Sequence, residues 1–157
     1  MLRRLLKVFA YVVAALGALA GALFIWLYFA FEPSRDEVSS VTSPDGQLVA
    51  SVIEVNGGAT TAFGYLIVLA ERGLSGKSQQ VASLYGAVRN DSAYGVNLRW
   101  TSENELSIEF LDAKTSELLN ARPRVAGRQV AVALRPYVRD PTAPAGGMLY
   151  NLHGRRQ

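Results

Sequence analysis

Carboxylates are numerous in this chain, and their spacing is the first test for chemistry. Glu103, Glu105 and Glu109 alternate with Leu106, Ile108 and Phe110. Successive side chains of a strand point to opposite faces, so this spacing sets the acids on one solvated face and not in a catalytic pair. His153 is the one histidine. Sites built from several imidazoles are excluded, and a Ser-His-Asp triad would have to recruit His153 from near the C-terminus. There is no cysteine, which excludes disulfides, zinc–thiolate sites, iron–sulfur clusters and a thiol nucleophile. No cofactor and no metal are expected.

Three short motifs invite a binding reading. Residues 73–78 contain the GKS of a phosphate-binding loop, but Glu71 stands where the first glycine is required and no helix follows. That segment reads as an exposed strand connection. Asn56, Gly57, Gly58, Ala59, Thr60 and Thr61 join two apolar runs. Adjacent glycines permit positive φ, and the hydroxyls add donors for a small anion or a partner's backbone. The same loop also reads as a wide hairpin turn satisfying its own chain. Asp45, in Ser43-Pro44-Asp45-Gly46, has a turn role and completes the set of ligand-binding candidates with Asn56, Gly57, Gly58, Thr60 and Thr61. Asn90-Asp91-Ser92 fits a glycosylation acceptor pattern.

The elements that must position these residues fall into two parts. Residues 8–31 are 24 consecutive uncharged positions, twelve of them Leu, Ile, Val or Phe. About 18–20 suffice to cross a bilayer as a helix, and those twelve contribute about −4 to −7 kcal/mol to insertion. Arg3, Arg4 and Lys7 precede the stretch, and Glu32, Asp36 and Glu37 follow it with Arg35 the only nearby base. Positive-inside then predicts a cytoplasmic stub at 1–7, a transmembrane helix at 8–31 and an extracytoplasmic remainder. The stretch is too long for the apolar region of a cleaved signal peptide. Gly17 and Gly21 form a G-x-x-x-G, the spacing that lets two membrane helices pack closely and support a weak homodimer. The 16 Lys and Arg less the three in the stub leave 13, against 13 Asp and Glu. A neutral remainder offers no concentrated basic face for phosphates, so nucleic acid is excluded as a partner.

After a linker at 32–37 the pattern turns to period two. Residues 47–56 carry Leu48, Ala50 and Val52 on one face, and residues 38–42 are their hairpin partner across the Ser43–Gly46 turn. Residues 65–70 form a continuous apolar run, the mark of a strand covered on both faces. Residues 81–88 are a weaker strand. Residues 96–100 and 105–110 form the clearest hairpin, and residues 128–135 alternate through Val130, Val132 and Leu134. Residues 113–120 hint at a helical turn or two. The expected fold class is mainly β: a single N-terminal transmembrane helix, then a small antiparallel domain at 38–139 of six or seven strands, a sandwich or curled sheet. Pro141, Pro144, Gly146 and Gly147 suggest a flexible tail at 140–157.

Leu98-Arg99-Trp100 followed by Leu106-Ser107-Ile108 resembles the strand rhythm of a propeller blade, although one blade closes no propeller. More specifically, the stretch 43–110, reading SPDGQLVASVIEVNGGATT at its start, resembles a group of small uncharacterised bacterial membrane-anchored envelope proteins. Those proteins pair an anchor or lipobox with an SPDG strand and a CGATT-like loop. Gly57 stands where they usually carry Cys, so no thiol role transfers, and the resemblance implies no activity. The leading functional reading is a non-enzymatic domain that binds another protein or supports a membrane complex, held by the lipid bilayer of the inner or plasma membrane. A small-ligand module at residues 56–61 comes second, and a hydrolase using scattered carboxylates third.

Overall fold

The computed structural model describes residues 2–30, 32–73 and 78–143, so residues 74–77 of the segment that carries the GKS, and His153 with the tail beyond 143, lie outside it. It divides into two units, Met1–Pro33 and Ser34–Gln157. The first is α1 (Leu2–Ala30), within which Leu6–Leu27 is long and apolar enough to cross a membrane. Its apolar residues are exposed all round, from Phe9 and Tyr11 to Phe24 and Trp26. A water-soluble helix hides one apolar stripe, and this one has no polar face along that span.

The second unit is mainly β. A five-stranded antiparallel sheet runs in the order β1 (Ser34–Thr42), β2 (Leu48–Asn56), β3 (Gly64–Glu71), β4 (Ser78–Tyr85), β9 (Thr115–Leu118). A three-stranded sheet has β8 (Glu105–Phe110) between β7 (Val96–Ser102) and β12 (Ala131–Arg135). Two short ribbons, β5 (Arg89–Asn90) with β6 (Ala93–Tyr94) and β10 (Arg124–Val125) with β11 (Arg128–Gln129), complete the strands among the described residues. The inward positions follow the alternation in the sequence. Leu48, Ala50 and Val52 of β2 and Ile67 and Leu69 of β3 pack with Leu106, Ile108, Val130 and Val132 in one core.

The two sheets are joined at both margins. On one side the Trp100 indole donates to the Val41 carbonyl at 3.2 Å. On the other, the chain leaving β9 crosses over so that the Ala121 and Pro123 carbonyls accept from the amides of Val132 and Val130, each at 2.9 Å. The domain is thus a strongly curled double sheet.

Four local expectations change. Strand β1 begins at Ser34, inside the expected linker, because Arg35, Asp36 and Glu37 pair with Val55, Glu54 and Ile53. Residues 113–120 hold β9 and no helical turn: the open edge of β4 offers a ladder, and Ala82 to Tyr85 pair with Leu118 to Thr115. The run 128–135 breaks at the buried Val130, and β12 lies parallel to β8, the one parallel pairing among the described strands. A parallel pair needs a long crossover, which the chain between β8 and β12 supplies by visiting the other sheet. Finally, β3 is covered on one face only. Tyr65, Ile67 and Leu69 are buried, whereas Leu66, Val68 and Ala70 are half-exposed.

The chain also remains bonded past Arg139. Asp140 is buried, its amide donates to the Ser92 carbonyl, and its carboxylate accepts from the Thr142 amide and hydroxyl at 2.8 and 2.7 Å.

The two faces of the large sheet give opposite mutational costs. Ile108→Ala, which opens a cavity in the shared core, is expected to lower stability by about 2–5 kcal/mol. Val68→Ala on the outer face is expected to change it by no more than about 1 kcal/mol. Denaturant melts of a fragment spanning residues 34–143 check both values, and equal losses would contradict the single-core arrangement.

Candidate functional site

The Ser43–Gly46 turn is built as a clamp. The Ser43 hydroxyl donates to Asp45 Oδ1 at 2.6 Å and accepts from the Leu48 amide at 2.9 Å, and Asp45 Oδ1 also accepts from the Gln47 amide at 3.2 Å. Gly46 has φ +77°, the conformation that makes glycine the fitting residue there. Arg128, from the β10–β11 ribbon, pairs with the other oxygen of Asp45 and donates to Gln47 Oε1 at 2.9 Å and to the Glu103 carbonyl at 3.1 Å. Two separate segments, the 43–48 turn and the turn between β7 and β8, meet on that guanidinium. Arg128 first, and the Ser43 hydroxyl second, hold the Asp45 carboxyl down at about 2.

The other ligand-binding candidates lie at the far end of β2, whose nine residues span about 30 Å. Residues 56–61 are exposed, and their polar groups turn on their own backbone. Asn56 Oδ1 accepts from the Gly58 amide at 2.9 Å, and the Thr61 amide and hydroxyl both donate to the Gly58 carbonyl at 3.2 Å. Gly58 has φ +98°, and a side chain at Gly57 would meet Thr61 Oγ1 at 2.8 Å. Asp45 therefore does not converge with Asn56, Thr60 and Thr61. The Gly17 and Gly21 positions of α1 have open space where a Cβ would stand.

A polar cluster beneath the 56–61 loop escaped the sequence reading. Glu54 and Tyr65 are cross-strand partners on the inner face. Arg89 of β5 pairs with Glu54 at 3.3 Å, hydrogen-bonds the Tyr94 hydroxyl, and lies 4.1 Å from the Phe63 ring centroid and 4.5 Å from that of Tyr94. The Tyr65 hydroxyl is buried without a hydrogen bond among the described residues, and burial, with Glu54 nearby, pushes its pKa up. Gly95, at φ +73°, leaves room for it; a Cβ there would lie 2.8 Å from the hydroxyl. The arrangement closes one end of the core with an ion pair stacked between aromatic rings. Asn90 sits in the tight β5–β6 turn, with its Oδ1 accepting from the Ser92 and Ala93 amides.

The outer faces of the two sheets contrast sharply. That of the three-stranded sheet holds a groove of about 350 Å³ lined by Arg99, Thr101, Glu105, Ser107, Glu109 and Arg135 among others. Its acids are engaged locally: Glu109 pairs with Arg99 at 2.6 Å, and Glu105 accepts from the Thr101 hydroxyl at 3.2 Å. Glu105 and Glu109 are about 13 Å apart along β8, beyond the roughly 5–10 Å of a glycosidase pair. Among the described residues no three His, Cys, Asp or Glu side chains group as metal ligands.

On the five-stranded sheet the outer positions of the two inner strands are aliphatic. Val49 pairs with Ala70, Ile53 with Leu66, and Ser51 with Val68, and Val55 pairs with Gly64. None of the six aliphatic side chains belongs to the core, and all are half-exposed. The flanking outer positions are Arg35, Glu37, Ser40 and Thr42 on β1 and Ser78, Gln80, Ser83 and Tyr85 on β4. The face thus has an apolar centre inside a polar rim. Its sequence signal was the unbroken YLIVLA run, which fits an uncovered apolar face as well as a covered one.

No protein-family model matches the chain, and neither the curated proteins nor the solved structures contain a match to it.

The Asp45 clamp makes stability pH-dependent. Its carboxyl is held below the ordinary value of 3.8, so its contribution is fully present above about pH 4 and is lost as pH falls toward 2. Melting temperatures measured across that window should fall for the wild type and fall less for Asp45→Asn. The Arg89 cluster gives a separate expectation. Arg89→Ala leaves Glu54 unpaired in a mostly buried position and should cost about 3 kcal/mol, read from denaturant midpoints.

Proposed function

We propose that the chain is a single-pass membrane protein of a bacterial envelope, with α1 as anchor, the N-terminus cytoplasmic and the β domain extracytoplasmic. Arg3, Arg4 and Lys7 lie in the first two turns of α1, and that helix has no acid in its first turn and no base in its last. Bases at a helix N-terminus oppose the macrodipole by about 0.3–1 kcal/mol each. Helix stability therefore gives no reason for them, and membrane orientation does.

The β domain acts in this reading as a non-enzymatic protein-interaction or complex-supporting module. One observation carries it: the aliphatic outer face of β2 and β3, set in a polar rim and contributing nothing to the core. Small-ligand binding at residues 56–61 draws less support, because the hydrogen bonds of Asn56 and Thr61 close their own turn.

Two measurements test the proposal. A cysteine replacing the exposed Thr101 should react with an impermeant maleimide in spheroplasts, and one replacing Leu2 should not; the reverse pattern refutes the topology. A photo-crosslinking residue at Val68 should yield a protein adduct in native membranes, and the same probe at Thr101 should not. Equal labelling from the two positions would remove the β2–β3 face as the interaction surface.

A further inference from the structure

We infer that the occupant of the β2–β3 outer face is a second copy of this chain, packed sheet against sheet about a twofold axis that runs along the strands between β2 and β3. The inference rests on the interaction role proposed above and names the partner.

The register supplies the first argument. A twofold in that position sets β2 of one copy over β3 of the other with the rows preserved. Ile53 then meets the second copy's Leu66, Val49 meets its Ala70, and Ser51 meets its Val68, because those residues already share rows within one sheet. The rim strands exchange likewise. Arg35 comes to lie over the second copy's Tyr85, a half-exposed ring suited to a guanidinium, and Glu37 over its Ser83. No like charges share a row among the outward residues of β1 to β4, and Lys114, 5.8 Å from the centroid of its own Tyr85 ring, is the cation near the Arg35 contact. The same symmetry keeps the strand directions of the two copies aligned, as in sandwiches whose sheets pack about 10 Å apart. An isologous contact needs one self-complementary face, and this face meets that condition.

Area supplies the second argument. The twofold overlaps the four strands β1 to β4 and leaves the short β9 outside the contact. Four strands about 4.8 Å apart and about 26 Å long present roughly 500 Å². A stable complex between free partners takes about 800 Å² from each. The face is thus somewhat small for two proteins meeting in bulk solution and sufficient for two chains confined to one membrane, where the entropy of encounter is already reduced. Charge argues against a lipid surface as the occupant. The central strands present no ionised outward side chain, and the rim strand β1 carries one base, Arg35, against one acid, Glu37.

The absence of native cysteine makes the test direct. Full-length protein carrying Val68→Cys, or Thr101→Cys as control, is treated in its own membranes with a short bis-maleimide. The expected result is a covalent homodimer from Val68→Cys at least tenfold above that from Thr101→Cys. Adding Leu66→Glu, or independently Ile53→Glu, should abolish it, with unchanged protease resistance showing that the domain is folded. Adding Gly21→Ile should leave it in place, since the contact is in the sheets. The inference is overturned if Val68→Cys gives no homodimer above the control, or if the homodimer depends on Gly21 and ignores Leu66→Glu. An adduct of Val68→Cys with a different protein, lost on Leu66→Glu, overturns the homodimer and keeps the interaction role. No adduct of any kind at Val68 removes both.

Discussion

The apolar layer shared by the two sheets is the interaction on which the rest of the domain depends. The chain has no disulfide to staple it, and its three-stranded sheet is too small to bury an apolar face alone. Leu106 and Ile108 of the small sheet are buried only because Leu48, Ile67 and Leu69 of the large sheet lie opposite. Closure at the margins follows from that layer. Trp100 reaches Val41 on one side, and the chain after β9 lends its carbonyls to β12 on the other, so few ladder groups are left unpaired where the sheets approach.

Ion pairs then secure regions near opposite ends of β2. Asp45 with Arg128 ties the first hairpin to the late β10–β11 ribbon, a contact between positions 83 apart in sequence. Glu54 with Arg89 closes the other end between two aromatic rings. Both pairs engage groups that in isolation look chemically available. The Asp45 carboxylate, held low by a guanidinium, is a poor proton acceptor. These two acids are in this way engaged by the architecture of the domain.

The surface of the domain has two characters. The outer face of the small sheet is polar and internally paired, as antiparallel sheets facing water usually are. The outer face of the large sheet is aliphatic along its two inner strands, and charge is confined to the flanking strands. The same domain thus carries one polar outer face and one outer face that is aliphatic at its centre.

Much of this was legible in the residues. The run of 24 uncharged positions from Val8 marks a helix able to cross a membrane, found at Leu6–Leu27 of α1, because length and apolarity alone decide that property. The alternation in residues 48–52 and 105–110 fixed which side chains face inward, since the strand period is two whatever lies opposite. Pro44 and Gly46 marked their turn through local φ preferences. What lay beyond local pattern depended on partners distant in the chain. Residues 113–120 carry a weak helical hint, and only the open edge of β4 makes β9 a strand. Asp45 offers itself as a ligand-binding acid until Arg128 arrives from across the fold, and Glu54 is one acid among 13 until Arg89, itself held by Tyr94, pairs with it. The run at 65–70 says that both faces of β3 are apolar. Which face meets the core and which is left open was decided by the tertiary structure alone, because burial depends on the sheet that packs opposite, and β7, β8 and β12 cover only one side.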